Sequence, residues 1–103
     1  MTDIHSENNN SFFLSVKQGE EFSLSLKSIS SAGYTWNVEY EETLLELVKP
    51  KEFIHITETI GGAVDELFTF RAKKKGNAKI TMMYKREWET TIEKTRQYNI
   101  EIK

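Results

Sequence analysis

Glu21-Phe22-Ser23-Leu24-Ser25-Leu26-Lys27 alternates polar and apolar residues without a break. A period of two puts Phe22, Leu24 and Leu26 on one face and the polar residues on the other, the pattern of a half-buried strand. The same period extends outward in both directions. Upstream, Phe12, Leu14 and Val16 share a face, and downstream Tyr34, Trp36, Val38 and Tyr40 do so. Residues 44–56 are less regular and contain the single proline, Pro50, which cannot donate to a ladder and marks an edge or an interruption. Val64, Phe68, Phe70 and Ala72 then lie on one face with Glu66 as the exception, followed by Ala78, Ile80, Met82 and Tyr84, and by Ile92, Tyr98, Ile100 and Ile102. Gln18-Gly19, Ala32-Gly33, Gly61-Gly62 and Gly76-Asn77 punctuate these runs as turns. The best helical candidate, residues 41–48, is short. About seven strands with glycine turns and no long helix predict an all-β fold, an antiparallel β-sandwich of immunoglobulin-like topology. The Cys…Trp…Cys hallmark is absent, so this sandwich has no disulfide and holds by packing alone.

Composition supports one domain and narrows its chemistry. The 103 residues include 26 Leu, Ile, Val and Phe, enough for a single core. Residues 11–103 read as one β-sandwich domain, and residues 1–10 as a polar, disordered N-terminal tail. The chain contains no cysteine, which excludes zinc-thiolate and iron–sulfur sites and a cysteine nucleophile of its own. With 14 Lys+Arg against 16 Asp+Glu it lacks the basic footprint of a duplex nucleic-acid binder. No apolar run reaches the ~20 residues of a membrane-spanning helix. The first ten residues have neither a basic start nor an apolar segment, so no signal peptide is expected and a cytoplasmic location is.

Catalytic chemistry is poorly represented. His5 and His55 are too far apart for metal-ligand spacing, and His55 falls within an expected strand, so no metal site is expected. No serine lies in a G-x-S-x-G elbow. Glu41 with Glu42, and Glu87 with Glu89, read as solvated surface charge, and Lys73-Lys74-Lys75-Gly76-Asn77 as a solvated hairpin turn. No cofactor is implied, and the chain is not expected to be an enzyme.

The loops say more. If successive strands run antiparallel, the loops at residues 17–20, 41–43 and 73–77 share one end and are charged and tight. Those at 28–33, 57–63 and 85–91 share the other. This second set carries Ile29, Ile60 and Trp88 among small residues and glycines, and apolar groups on exposed loops suggest a binding surface. Arg86 lies beside Trp88, and both residue types are over-represented among interface hot spots. Trp88 also continues the inward register of Tyr84 and Arg86, which would make it a cap on the core. A carbohydrate-binding or adhesion module, with Trp88 and Tyr84 stacking on sugars, is the alternative function for such an end.

These loops resemble those of the chagasin-type inhibitors of papain-like cysteine proteases, most closely the amoebic members, the amoebiasins. That family carries an N-P-T-T-G-Y motif before a Trp-containing strand, a Gly-rich loop in mid-chain and an R-P-W motif near the C-terminus. The matching stretches are Ile29-Ser30-Ser31-Ala32-Gly33-Tyr34 followed by Thr35-Trp36, then Ile60-Gly61-Gly62-Ala63, then Arg86-Glu87-Trp88. The resemblance spans residues 12–103. It departs at the reactive loop, where Ile29-Ser30 replaces Asn-Pro and Ser31-Ala32 replaces Thr-Thr, and at Glu87, which replaces a proline. Losing both prolines raises the ordering cost of binding. The resemblance implies reversible, competitive inhibition by three loops that fill the protease cleft. Ser31, Ala32 and Gly33 would sit over the catalytic cysteine, where small residues permit close approach. Thr59, Ile60, Gly61 and Gly62 would lie along the non-primed side, and Arg86 and Trp88 on the primed side. The expected partner is a cathepsin-L-like enzyme met by a monomeric inhibitor.

Overall fold

The computed structural model describes residues 4–6, 11–29, 32–55 and 63–103. Among them nine strands are formed: β1 (Ile4–Ser6), β2 (Ser11–Val16), β3 (Glu21–Ile29), β4 (Tyr34–Tyr40), β5 (Leu45–Leu47), β6 (Glu52–His55), β7 (Ala63–Ala72), β8 (Gly76–Arg86) and β9 (Lys94–Ile102). Five make one sheet in the order β1-β2-β9-β8-β4. The second sheet has β3 on one edge of β7, with β5 and then β6 following one another along its other edge. The two sheets form an immunoglobulin-like sandwich.

Period-two patterning builds this directly. In β3 every second residue from Phe22 to Ser28 is buried, and in β7 every second residue from Val64 to Ala72. Trp36, Phe68, Phe70, Leu24, Leu26, Ile80 and Met82 fill the space between the sheets. Phe22 and Phe70 stack across the β3–β7 pair at 5.6 Å, and Phe12 and Tyr98 across β2–β9 at 5.1 Å. The indole Nε1 of Trp36 donates to the Lys27 carbonyl at 3.0 Å, which joins β4 of one sheet to β3 of the other.

The expected fourth strand is two strands, β5 and β6, and the chain around Pro50 leaves the ladder between them. This excursion has a use. Glu66, the carboxylate on the apolar face of β7, is fully buried. It accepts hydrogen bonds from Thr35 Oγ1 at 3.0 Å and from the Trp36 amide at 3.1 Å, and it pairs with Lys51 Nζ at 2.9 Å. Lys51, next to Pro50, also donates to Thr35 Oγ1 at 2.6 Å and to the Trp36 carbonyl at 2.7 Å. β4 is the last strand of its sheet, and the Trp36 amide and carbonyl point off its free edge. Glu66 and Lys51 supply the partners that a neighbouring strand would otherwise provide.

Two features differ from the sequence reading. The β2–β9 pair is parallel, from Ser11 opposite Gln97 to Val16 opposite Ile102. Both strands finish at the same end of the sandwich, where the turn at Gln18-Gly19 passes the chain to β3. Gln18 donates to the Lys103 carbonyl and Lys103 to that of Val16, each at 2.9 Å. Residues 4–6, read as part of a disordered tail, form β1, antiparallel to β2 with Ser6 opposite Phe12. The outer edge of β2 presents unpaired amides and carbonyls, and β1 pairs them.

Candidate functional site

Strand register fixes which loops share an end. Ile29 closes β3 opposite Ala63, which opens β7. Tyr34 opens β4 opposite Arg86, which closes β8, and Lys94 opens β9 opposite Tyr84. The 28–33, 57–63 and 85–91 loops therefore spring from one end of the sandwich. Ser30, Ser31, Thr59, Ile60, Gly61 and Gly62 lie outside the described residues. Ile29, Ala32, Gly33, Tyr34, Arg86 and Trp88 are described, and they come together.

β8 ends at Arg86, and a turn closed by the Glu89 amide donating to the Arg86 carbonyl at 3.1 Å carries Trp88 out of the strand register. Trp88 is accordingly 72% exposed, the most exposed large hydrophobic residue among those described, and it does not cap the core. Its ring lies against Gly33. A Cβ at that glycine would overlap the indole, with Cζ3 at 2.9 Å, and Gly33 has a φ of +85°. Both the space and the backbone conformation call for glycine here.

Arg86 is held inside the cluster. Its Nε donates to the Ala32 carbonyl at 3.2 Å, its Nη1 pairs with Glu89 at 3.1 Å, and its guanidinium lies over the Tyr34 ring at 4.7 Å. The Glu89 hydrogen bond, with Tyr34 adding to it, raises the Arg86 pKa above its ordinary value. Tyr34 stacks on Tyr84 at 5.1 Å, and the Tyr84 hydroxyl accepts from the Ile29 amide at 3.0 Å. Lys85 Nζ donates to the Glu89 carbonyl at 3.1 Å. β8 and the 85–91 loop thus hold the 28–33 loop at both of its ends, Tyr84 at Ile29 on one side and Arg86 and Trp88 at Ala32 and Gly33 on the other. Ile29 is itself half exposed beside this assembly.

Tyr84, Lys85 and Glu89 are absent from the protease-binding residues expected from sequence; Tyr84 is named there only for sugar stacking, and Glu89 reads as surface charge. Glu89 carried one usable signal, since it stands three residues after Arg86, the reach of an ion pair across a tight turn. The inward register of Tyr84 marked it as core and concealed the hydroxyl that reaches Ile29.

A β-sandwich that presents a braced loop cluster at one end, with an exposed tryptophan at its tip, is a binding domain that works by surface complementarity. The model of the chagasin family of peptidase inhibitors, I42, matches residues 15–102. The chain belongs to this family and is a peptidase inhibitor, not an enzyme. No curated protein matches the sequence. Among solved structures, the cysteine protease inhibitor EhICP2 from Entamoeba histolytica superposes with a TM-score of 0.78 at 21% identity, over 91% of this chain and 87% of that one. Amebosin gives 0.72 at 21% identity, over 94% and 93%. PbICP-C, solved in complex with falcipain-2, gives 0.59 at 17% identity, over 99% and 94%. At these identities the likeness establishes the fold.

Proposed function

We propose that the chain inhibits papain-like cysteine proteases reversibly and competitively by filling the active-site cleft with the loop end of the sandwich. The observation that carries this reading is Trp88, exposed at the tip of a loop whose Arg86 holds the neighbouring loop at Ala32. A large aromatic that rests on Gly33 and is open to solvent is the anchor expected of a protein–protein interface. The inhibitors similar in fold include one solved in complex with falcipain-2, which supports this reading.

The division of labour we propose is as follows. Trp88 and Ile29 meet the protease. Ser30, Ser31 and Ala32 present small side chains to the catalytic centre, and residues 59–62 take the non-primed side. Arg86, Gly33 and Tyr34 hold the loops in place, and this is a narrower role for Arg86 than direct contact. A rigid cluster lowers the ordering cost of binding, which compensates for the missing loop prolines. A protease–inhibitor interface buries roughly 800 Å² on each partner, within reach of three loops. No covalent step is involved and no cofactor is needed.

Titration against papain or a cathepsin-L-like enzyme with a fluorogenic peptide substrate tests the reading. Tight inhibition that substrate relieves supports it, and no inhibition at micromolar concentration by folded protein refutes it. We propose further that the inhibitor acts as a monomer in the cytosol. Sedimentation and cell fractionation test these two points, and a dimer or a vesicle-bound protein would contradict them.

A further inference from the structure

We propose that Lys51, Glu66 and Thr35 form a clamp that positions the protease-binding loops, an inference that rests on the inhibitory reading above. The clamp joins β4 to the β6–β7 pair of the other sheet, and no ladder connects β4 with either of these strands. Thr35 and Trp36 belong to β4, the edge of the five-stranded sheet, just after the 28–33 loop. Glu66 belongs to β7 of the other sheet, three residues after the point where the 57–63 loop enters at Ala63. Lys51 stands in the Pro50 excursion, immediately before β6, which leads into that same loop.

The bonds are charge-assisted and reciprocal. Lys51 Nζ donates to Glu66 Oε1, to Thr35 Oγ1 and to the Trp36 carbonyl, while Thr35 and the Trp36 amide donate to Glu66. A lysine has three protons to donate, and all three are used. The carboxylate is wholly buried and Lys51 is about one-quarter exposed, so little water competes for either. Such bonds are stronger and more directional than neutral ones. On this flank the two sheets face each other with free edges, and without the clamp the start of β4 can shift against the start of β7. A shift there moves the root of one binding loop relative to the root of the other, and a mismatch at the cleft follows.

A merely structural ion pair would lower the melting temperature without changing the binding of the protein that remains folded. The test therefore compares Lys51→Met and Thr35→Val with Leu45→Ala, a core truncation at the opposite end of the sandwich, where Leu45 faces Ala72. Inhibition of papain and amide exchange at Gly33, Tyr34 and Val64 are measured well below each melting temperature. Lys51→Met is expected to weaken inhibition about tenfold through faster dissociation, with faster exchange at those amides. Thr35→Val is expected to act in the same direction with a smaller effect. Leu45→Ala should change neither quantity. Inhibition by both clamp variants within about twofold of the wild type, or an equal loss in Leu45→Ala, overturns the proposal. If the wild-type protein does not inhibit papain, the inhibitory reading fails on its own. Exchange then decides the clamp: faster exchange in the clamp variants but not in Leu45→Ala supports it, and unchanged exchange overturns it.

Discussion

Replacing Gly33 with alanine tests the loop cluster at its tightest point. Gly33 has a φ of +85°, and a Cβ there would meet the Trp88 ring. Holding a non-glycine residue in the left-handed region costs about 1–2 kcal/mol. The steric term adds little to this, because Trp88 is 72% exposed and can swing outward while the backbone stays in place. The expected loss of stability is therefore about 2 kcal/mol, or a fall in melting temperature of about 8–16 °C for a domain of this size. The protein stays folded at room temperature, since stabilities of ~5–15 kcal/mol are usual. Its Trp88 is displaced, and protease affinity should fall about thirtyfold, the equivalent of about 2 kcal/mol at a hot spot. Gly19→Ala is the matched control. Gly19 has a φ of +89° with nothing within 4 Å of an added Cβ, and it lies at the opposite end of the molecule. It should show the same conformational cost and no loss of affinity. Calorimetry and papain titration on both variants check the argument. Wild-type affinity in Gly33→Ala would refute the claim that the Gly33–Trp88 contact shapes the binding surface.

Other consequences are equally direct. Trp88→Ala should change stability by less than about 1 kcal/mol yet weaken protease binding by about 2 kcal/mol, measured by denaturation and by inhibition. Lys51→Ala should destabilise the fold by about 3 kcal/mol, because it leaves the buried Glu66 carboxylate without its counter-charge, whereas Lys51→Met with Glu66→Leu should recover only part of that loss in urea titrations, since the Trp36 amide and carbonyl lose their partners. Arg71 bridges Glu21 and Glu46 on an exposed face, so Arg71→Ala should barely move the urea midpoint, and move it less still in high salt. Burial raises the pKa of Tyr98 above its ordinary value, partly opposed by Arg96. The unfolded chain then loses this proton first, so stability should decline as pH rises through about 10 and beyond. Tyr98→Phe should make that decline shallower in thermal melts.

Much of the sandwich was legible because alternation reports which residues face a core. Phe22, Leu24 and Leu26, and Phe68, Phe70 and Ala72, are buried where a period of two puts them. Pro50 marked an edge or an interruption, and the structure has both at β5 and β6. Strand direction is not written in that pattern, which is why the parallel β2–β9 pair was not foreseen. Glu66 broke the alternation, and that break was the visible trace of a buried polar cluster. Its partner Lys51 carried no local signal, since its role depends on where the chain goes after leaving the ladder. For Trp88 the register of β8 and the composition of the loop pointed in opposite directions, and the turn at Glu89 decides between them.

The Trp36–Lys27 hydrogen bond joins the sheets without any sulfur chemistry. Proteases that attack with a thiolate are active only where reductants keep that thiol free. A sandwich stapled by a disulfide would risk losing its staple under those conditions, and it could trade sulfur atoms with the enzyme it blocks. An indole bonded to a backbone carbonyl is indifferent to redox poise, and a chain with no cysteine cannot form a mixed disulfide with its target. Inhibition by this protein should therefore be the same across any concentration of dithiothreitol that keeps the protease active.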